Sequence, residues 1–226
     1  MSKLTTVIVP AYVQTRLSAH ITMACIANII RFTDPSEYEL ILIHDIPQFT
    51  VRDDYKIFDK NQGFKEIILD KYTNYSEKMN MAAKEAKGDY LAFIQNDCFV
   101  WEDWLPRLRY YIENDLADAL VPDQTPRDRQ FITEAQNMSL EEGLNKGNRD
   151  ACMIFISKEG FEKSGGFNNN LQAFVEADFY DRCAGAGVRL CPTNKVVVTH
   201  LTLATHYQDM DEFEKRMSND AAIRNK

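Results

Sequence analysis

Long apolar runs and the common nucleotide-binding and hydrolase motifs are absent from this 226-residue sequence. Its longest apolar stretches, such as residues 24–30, are interrupted and far shorter than the roughly 20 residues of a membrane-spanning helix. The chain has no GxGxxG, GxxxxGK[ST] or GxSxG segment, which disfavours dinucleotide oxidoreductases, P-loop NTPases and serine hydrolases. Gly185 and Gly187 lie at the end of a predicted helix, and a helix C-cap explains them better than a dinucleotide motif.

The cysteines lack paired spacing, and acidic residues outnumber basic ones by 34 to 26. The five cysteines are an odd number without CxxC spacing, which disfavours a disulfide framework or a zinc knot and favours reduced thiols. A strand pattern begins almost at the N-terminus and leaves no room for a signal peptide, so we expect a cytoplasmic protein. The net charge of −8 disfavours a nucleic-acid partner. Residues 126–149 are locally basic and keep that partner as an alternative, although a solvated loop explains them better.

Hydrophobic patterning predicts an α/β fold with a mostly parallel central sheet and helices on both faces. Strands are expected at residues 5–9, 39–43, 66–69, 90–94, 119–121, 153–156 and 195–199. Helices are expected at residues 18–32, 76–87, 101–114, after Ser157, at 174–186 and from Asp209. Pro10 should end the first strand, Ser76 should cap the second helix, and residues 123–150 should form a long polar loop.

Polar side chains follow three of the predicted strands. Tyr12, Asp45 and Asp97 each come just after a strand, and ligands of open α/β sheets bind beyond the carboxyl ends of strands. Asp97, with Asn96 before it, could hold Mg²⁺ or Mn²⁺ on a diphosphate, because such ions use only one or two protein carboxylates. An Asn-Asp turn explains the same pair equally well.

Three further residues are candidates for chemistry. Glu176 and Asp178 lie two positions apart on a helix, so at most one of them faces a given site. A carboxylate there could take a proton from an attacking hydroxyl, although the helix dipole alone favours acids at that end. His200 follows the final strand and could ligate a metal, but a hydrogen-bonded histidine at the core edge is the commoner case.

Four segments, in this order, resemble the family 2 glycosyltransferases with the GT-A fold, over about residues 4–205. They are TTVIVPAY, ELILIHDIP, NYSEKMNMAAKEAKGDYLAFIQNDC and GGFNNNLQAFVEADFYDRCAGAGVRL. The second is similar to the family's strand ending in an Asp pair, and the third to the strand leading to its metal-binding DxD. The fourth resembles the Gly-Gly-Phe segment and the acidic catalytic motif.

The resemblance implies a single Rossmann-like GT-A domain over residues 1–226. Its nucleotide-sugar-binding half would be residues 1–100, its acceptor-binding and catalytic half 101–206, and a helical tail 207–226. The implied activity is inverting transfer of a sugar from a nucleotide-diphospho-sugar, with a UDP-sugar favoured, to a glycan or other hydroxyl-bearing acceptor.

The resemblance also implies roles for individual residues. The donor would be contacted by Pro10, Tyr12, Asp45, Lys78 and Asn96. The ligands of Mn²⁺ or Mg²⁺ would be Asp97 and His200. The base that deprotonates the acceptor hydroxyl would be Glu176, with Asp178 next in line.

Several positions depart from the family pattern, among them three in or near the motifs. Gln95 replaces the first acid of DxD, His44 replaces the first acid of the Asp pair, and Met79 stands where an arginine often contacts phosphate. These departures motivate the alternative of a catalytically silent nucleotide-sugar-binding protein. A nucleotidyltransferase ranks last, because residues 11–16 lack the glycine of a phosphate-binding loop.

Overall fold

The computed structural model describes residues 3–13, 15–45, 58, 63–124, 139–146, 151–171 and 174–201. The helix expected from Asp209 and most of the polar loop expected at 123–150 lie outside these residues. No helix in the described part of the chain is long and apolar enough to cross a membrane.

Eight strands and six helices are formed by the described residues. The strands are β1 (Thr5–Ala11), β2 (Tyr38–Asp45), β3 (Phe64–Leu69), β4 (Tyr90–Ile94), β5 (Cys98–Phe99), β6 (Ala119–Gln124), β7 (Met153–Ser157) and β8 (Leu190–His200). The helices are α1 (Arg16–Arg31), α2 (Tyr75–Glu85), α3 (Trp104–Glu113), α4 (Leu140–Gly143), α5 (Lys158–Ser164) and α6 (Val175–Gly185).

The strands form one mixed, mostly parallel sheet in the order β3-β2-β1-β4-β7-β6-β8-β5. The pairs β1–β2, β2–β3, β1–β4 and β6–β8 are parallel. The pairs β4–β7, β6–β7 and β5–β8 are antiparallel. The chain runs outward from β1 to β3 and returns to β4 on the other side of β1. This reversal creates a crevice at the carboxyl ends of β1 and β4, where open α/β sheets bind ligands.

Helices cover both faces of the sheet, as expected. Val7 and Val9 of β1 pack in one buried cluster with Ile26 of α1, whereas Ile8 packs in a second cluster with Met79 of α2. Because successive strand residues point to opposite faces, β1 is apolar on both sides. That double burial explains its unbroken apolar run and makes β1 a rigid support for the residues after it.

Pro10 does not end β1, which continues through Ala11 and pairs Pro10 with Ile43 of β2. The pairing of β1 with β4 stops earlier, at Ile8 and Phe93. A missing N–H at Pro10 therefore breaks no ladder bond to β4, and the strand tolerates the proline.

The cap of α2 also differs from the expectation. Asn74, rather than Ser76, caps the helix, because its Oδ1 accepts a hydrogen bond from Glu77 N at 2.8 Å. Ser76 lies one position inside the helix and donates its hydroxyl to Leu171 O at 3.1 Å. Ser76 therefore connects α2 to a distant segment.

The expected start of α3 and the expected start of the loop at 123–150 are both wrong. Helix α3 begins at Trp104 instead of Trp101, and Asp103 precedes it with a φ of 58° and no side-chain cap bond. The expected loop also contains regular structure, since β6 runs to Gln124 and α4 occupies 140–143. The reciprocal bonds of Ser139 and Glu142 start α4, and their spacing is the capping box that the sequence displays.

Gly88 provides a test of the packing of β1 and β4. A Cβ at this position would lie 2.5 Å from Thr6 N and 2.8 Å from Leu4 O, both backbone atoms that cannot move aside. We expect Gly88→Ala to lower the free energy of unfolding by about 3 kcal/mol, measured by urea denaturation. Gly185→Ala is the control, because nothing lies within 4 Å of its added Cβ, and it should change stability by no more than about 1 kcal/mol. Equal losses in both variants would contradict this packing.

Candidate active site

Tyr12, which follows β1, and Asp45, the last residue of β2, meet at the carboxyl edge of the sheet. Lys78 of α2 joins them, because its Nζ lies 2.6 Å from Asp45 Oδ2 and 2.9 Å from Ala11 O. The same Nζ lies 5.6 Å from the centroid of the Tyr12 ring. Tyr12, Asp45 and Lys78, which the sequence suggested separately, therefore form one cluster.

Asp45 is held rigidly within this cluster. Thr73 N donates a hydrogen bond to its Oδ1 at 3.0 Å, while Lys78 occupies its Oδ2. Lys78 is only 3% exposed, and burial lowers the pKa of its ammonium group while the bond with Asp45 opposes that effect. Lys78 thereby links the end of β1 to Asp45, because its Nζ contacts Ala11 O as well as the carboxylate.

An aromatic pair borders the same cluster. The rings of Tyr12 and Tyr72 meet edge to face, with centroids 5.6 Å apart and an interplanar angle of 83°. Tyr72 is 47% exposed. Flat rings beside a fixed carboxylate suit a planar base that stacks and donates a hydrogen bond. Sequence reasoning missed Tyr72, which carries no motif and lies after β3.

We expect Asp45→Asn to be strongly destabilising, because it leaves the buried Lys78 ammonium without its counter-charge. The loss should be about 3 kcal/mol or more in the free energy of unfolding, measured by chemical denaturation. Glu85→Gln is the matched control, because its pair with Lys65 is exposed on both sides, and it should cost about 1 kcal/mol or less. If Asp45→Asn and Glu85→Gln lowered the free energy of unfolding by similar amounts, the Asp45–Lys78 pair would not behave as a buried ion pair.

Asp97 and His200 are brought together by strand β5, which the sequence did not predict. Cys98 of β5 lies opposite His200 of β8 in an antiparallel pair, and Leu201 N donates to Asp97 O at 3.1 Å. His200 Nε2 consequently lies 3.3 Å from Asp97 Oδ1. Asp97 is 2% exposed, so a buried carboxylate and an imidazole face each other at the site.

The orientation of the His200 ring suits a metal ligand. Its Nδ1 lies 3.0 Å from Gln124 Oε1, which accepts the proton of that nitrogen. In the neutral ring, Nε2 then carries the lone pair on the side of Asp97. Neighbouring ligands of one ion at about 2.1 Å lie about 3.0–3.4 Å apart, and the observed separation of 3.3 Å falls in this range. The pair therefore fits a divalent cation, with Gln124 fixing the imidazole from outside.

The other two residues of the triplet after β4 point elsewhere. Asn96 Nδ2 donates to Thr22 Oγ1 of α1 at 2.8 Å, so its amide ties the triplet to that helix. Gln95 Nε2 lies 3.5 Å from Glu176 Oε1 and 3.5 Å from Ala151 O. Gln95 stands where the DxD motif has its first acid, and its side chain thus faces Glu176 instead of the Asp97–His200 pair.

The structure distinguishes Glu176 from Asp178. Glu176 lies beside Gln95, whereas Asp178 Oδ2 pairs with Arg182 Nε at 2.6 Å within the same helix. Phe174, which caps α6, has a φ of 49°, and such strained backbone clusters at functional sites. Glu176 is therefore the acid that the fold directs toward the triplet.

Tyr75 completes this side of the site. Burial, and then the negative charge of Glu176, raise the pKa of its hydroxyl well above the usual value, while a hydrogen bond with Gln95 acts in the opposite direction. The hydroxyl is therefore protonated at neutral pH. Tyr75, Gln95 and Glu176 form a connected polar group next to the end of β4.

The segment that leads to Glu176 is held by α2. Asn80 accepts a hydrogen bond from Phe167 N at 3.0 Å and donates to Phe167 O at 2.8 Å. Gly166 has a φ of 69°, and a Cβ there would lie 2.7 Å from Asn80 Oδ1. These contacts give a physical reason for an asparagine in the helix and for paired glycines before the phenylalanine.

A sheet with this crossover order, with acids after its central strands and an acidic helix beside them, is the GT-A class of α/β fold. A sequence model for the family described as Glycosyl transferase family 2 matches residues 6–171, and the chain belongs to that family.

Individual relatives agree with this assignment. The chain is 24% identical over 203 residues to the glycosyltransferase AglE of Haloferax volcanii, covering 86% of this chain and 66% of that protein. The mannosyltransferase PcManGT from Pyrobaculum calidifontis, solved with GDP-Man and Mn²⁺, superposes with a TM-score of 0.72 at 16% identity, over 92% of this chain and 59% of that one.

A second solved structure has the same fold. GalNAc-T7, solved with UDP, GalNAc and Mn²⁺, gives a TM-score of 0.70 at 15% identity, over 88% of this chain and 44% of that one. The chain therefore spans less than two thirds of the length of these relatives.

Proposed function

We propose that the chain transfers a sugar from a nucleotide-diphospho-sugar to an acceptor hydroxyl, with inversion at the anomeric carbon. One observation carries this proposal: the triplet 95–97 after β4 contacts both groups of candidate residues. Asp97 pairs with His200 as a possible cation ligand, and Gln95 contacts Glu176, the candidate base. His200 lies 3.3 Å from Asp97, and Glu176 lies 3.5 Å from Gln95. The candidate metal site and the candidate base therefore both lie next to the end of the buried strand β4.

The donor would lie across the carboxyl ends of β1 and β2. Tyr12 and Tyr72 would stack against the base, Pro10 would shape the end of β1, and Asp45 would accept a hydrogen bond from the base. Uracil and guanine each offer a ring N–H to such a carboxylate. We favour a UDP-sugar, as the resemblance to the family implies.

Asp97 and His200 would hold Mn²⁺ or Mg²⁺, which when bound neutralises charge on the departing nucleoside diphosphate. Asn96 supports this pair by fixing the triplet to α1, and it contacts the donor in our proposal. The carboxylate of Asp97 is the only acid of the triplet, so the diphosphate and water would complete the coordination.

Glu176 would accept the proton of the acceptor hydroxyl as its oxygen attacks the anomeric carbon and the bond to the diphosphate breaks. Gln95 orients this carboxylate, and Tyr75 in turn bonds to Gln95. Asp178 stands next in line, but its contact with Arg182 makes it the weaker candidate. Residues 1–100 would bind the donor, and the second half would bind a glycan or another hydroxyl-bearing acceptor.

A catalytically silent nucleotide-sugar-binding protein is the second candidate, favoured by the single acid of the triplet. One experiment separates the two: UDP- and GDP-sugars are screened by thermal shift with Mn²⁺ or Mg²⁺, and nucleoside diphosphate release is then measured. We expect metal-dependent stabilisation and release. Stabilisation without release on any acceptor would favour the silent protein, and no stabilisation by any sugar nucleotide would contradict both.

A further inference from the structure

Two cysteines lie beside the Asp97–His200 pair and have no part in the proposed transfer. The ligand atoms of Cys98, Cys152 and His200 all lie within 4.8 Å of one another. Sulfur and imidazole nitrogen are the ligands that Zn²⁺ prefers, whereas Mg²⁺ and Mn²⁺ favour oxygen. The two thiols and the imidazole are therefore better ligands for a thiophilic cation than for Mg²⁺ or Mn²⁺.

The three residues are fixed by separate strands. Cys98 opens β5 directly opposite His200 of β8, so their side chains share one face of the pairing. Cys152 precedes β7 and is held because Gln95 N donates to its carbonyl at 2.9 Å. The Cys98 thiol also lies 3.6 Å from that carbonyl oxygen. The backbone of the cluster is thus fixed by strand pairing and hydrogen bonds, and its ligand atoms already converge within 4.8 Å.

The fourth ligand would be Asp97, which lies beside the group of three rather than within it. Its Oδ1 is 3.3 Å from His200 Nε2, and rotation of its side chain would bring it to the ion. His200 is oriented by Gln124, as ligating histidines usually are by a group outside the metal shell. Cys98 and Cys152 are 0% and 2% exposed, so an ion held here would be shielded from water on the thiol side.

We propose that Cys98, Cys152 and His200 bind a thiophilic divalent cation such as Zn²⁺, with the neighbouring Asp97 carboxylate turning toward the ion as the fourth ligand. Each thiol releases a proton to solvent when it ligates the ion. Because His200 and Asp97 are also the residues proposed for Mn²⁺ or Mg²⁺, the two occupancies exclude each other. The competition between the two metals rests on the proposed function, whereas binding of the thiophilic ion to the cysteines does not. The cluster would make transfer sensitive to zinc.

Co²⁺ on the full chain tests the cluster directly, because thiolate ligation gives a charge-transfer absorption band that oxygen and nitrogen ligands do not give. We expect wild type to show this band and Zn²⁺ to displace it. Cys98→Ser and Cys152→Ser should each weaken the band, the double variant should lose it, and all three should bind Zn²⁺ at least about tenfold more weakly in competition with a chromophoric chelator. Cys191→Ser is the matched control, since Cys191 lies earlier on β8 and is partly exposed, and it should change neither.

The readout is metal binding and not turnover, so a chain that transfers no sugar still gives a decisive result. Wild type without a thiolate band, or Cys98→Ser and Cys152→Ser with unchanged band and Zn²⁺ affinity, would overturn the proposal. Thermal unfolding without metal checks that the serine variants fold, and Cys98→Ala with Cys152→Ala repeats the measurement without a new hydroxyl. Weakening of the band in the folded single variants and its loss in the folded double variant, with the Cys191→Ser band intact, supports it.

Discussion

Asp97→Asn lowers donor turnover by at least about a hundredfold at saturating donor, because it removes the one carboxylate of the triplet while keeping its size. Losing a metal contact on the leaving diphosphate costs about 3 kcal/mol of transition-state stabilisation, which corresponds to this factor. The assay is nucleoside diphosphate release with Mn²⁺ varied. We expect the Mn²⁺ concentration for half-maximal rate to rise as well, since His200 alone holds the ion weakly.

Asp103→Asn is the matched control for this experiment. The side chain of Asp103 is 72% exposed and makes no cap bond to α3. Asparagine also tolerates the φ of 58° at this position. Turnover and Mn²⁺ dependence should therefore stay within about twofold of wild type, because surface charges of this kind contribute little. If Asp97→Asn kept wild-type turnover and Mn²⁺ dependence, Asp97 would not be the metal anchor.

Glu176→Gln has the second large effect, a fall in the rate of transfer of about 10²–10⁴-fold with donor affinity almost unchanged. The amide keeps the shape of the side chain and its proximity to Gln95 but cannot accept the acceptor's proton. Donor binding is measured by calorimetry and transfer by single-turnover kinetics, so the two steps are separated.

Asp178→Asn is the control on the same helix turn. It removes a partly exposed contact with Arg182, which is worth about 1 kcal/mol or less, so transfer should fall by no more than about tenfold. A larger loss in Asp178→Asn than in Glu176→Gln would exchange the roles of the two acids. The sequence left that choice open, and the Asp178–Arg182 pair is what favours Glu176.

Much of the sheet could be predicted from the sequence because its signals are local. Apolar runs marked the parallel strands, and polar residues after them marked the carboxyl edge where Tyr12, Asp45 and Asp97 lie. Ser139 and Glu142 show that a local signal was also overlooked, since their spacing announces α4. The roles that the family resemblance implies for individual site residues stay predictions, which the variants above test.

The remaining features depend on contacts between residues far apart in the chain. Lys78 reaches Asp45 across 33 positions, and neither residue type indicates that the other is its partner. Strand β5 has two residues, too few for any periodicity, and only its pairing with β8 brings His200 to Asp97. No pattern around Cys152 placed it in the same cluster.

The binding of nucleoside diphosphate with and without Mn²⁺ tests the central claim most directly. UDP and GDP are titrated into wild type and into Asp97→Asn by calorimetry. The account predicts that Mn²⁺ strengthens binding of the preferred nucleotide to wild type by at least about tenfold, about 1.4 kcal/mol, and that Asp97→Asn loses this gain while keeping the metal-free affinity. Equal affinities with and without Mn²⁺ in wild type, for both nucleotides, would contradict it.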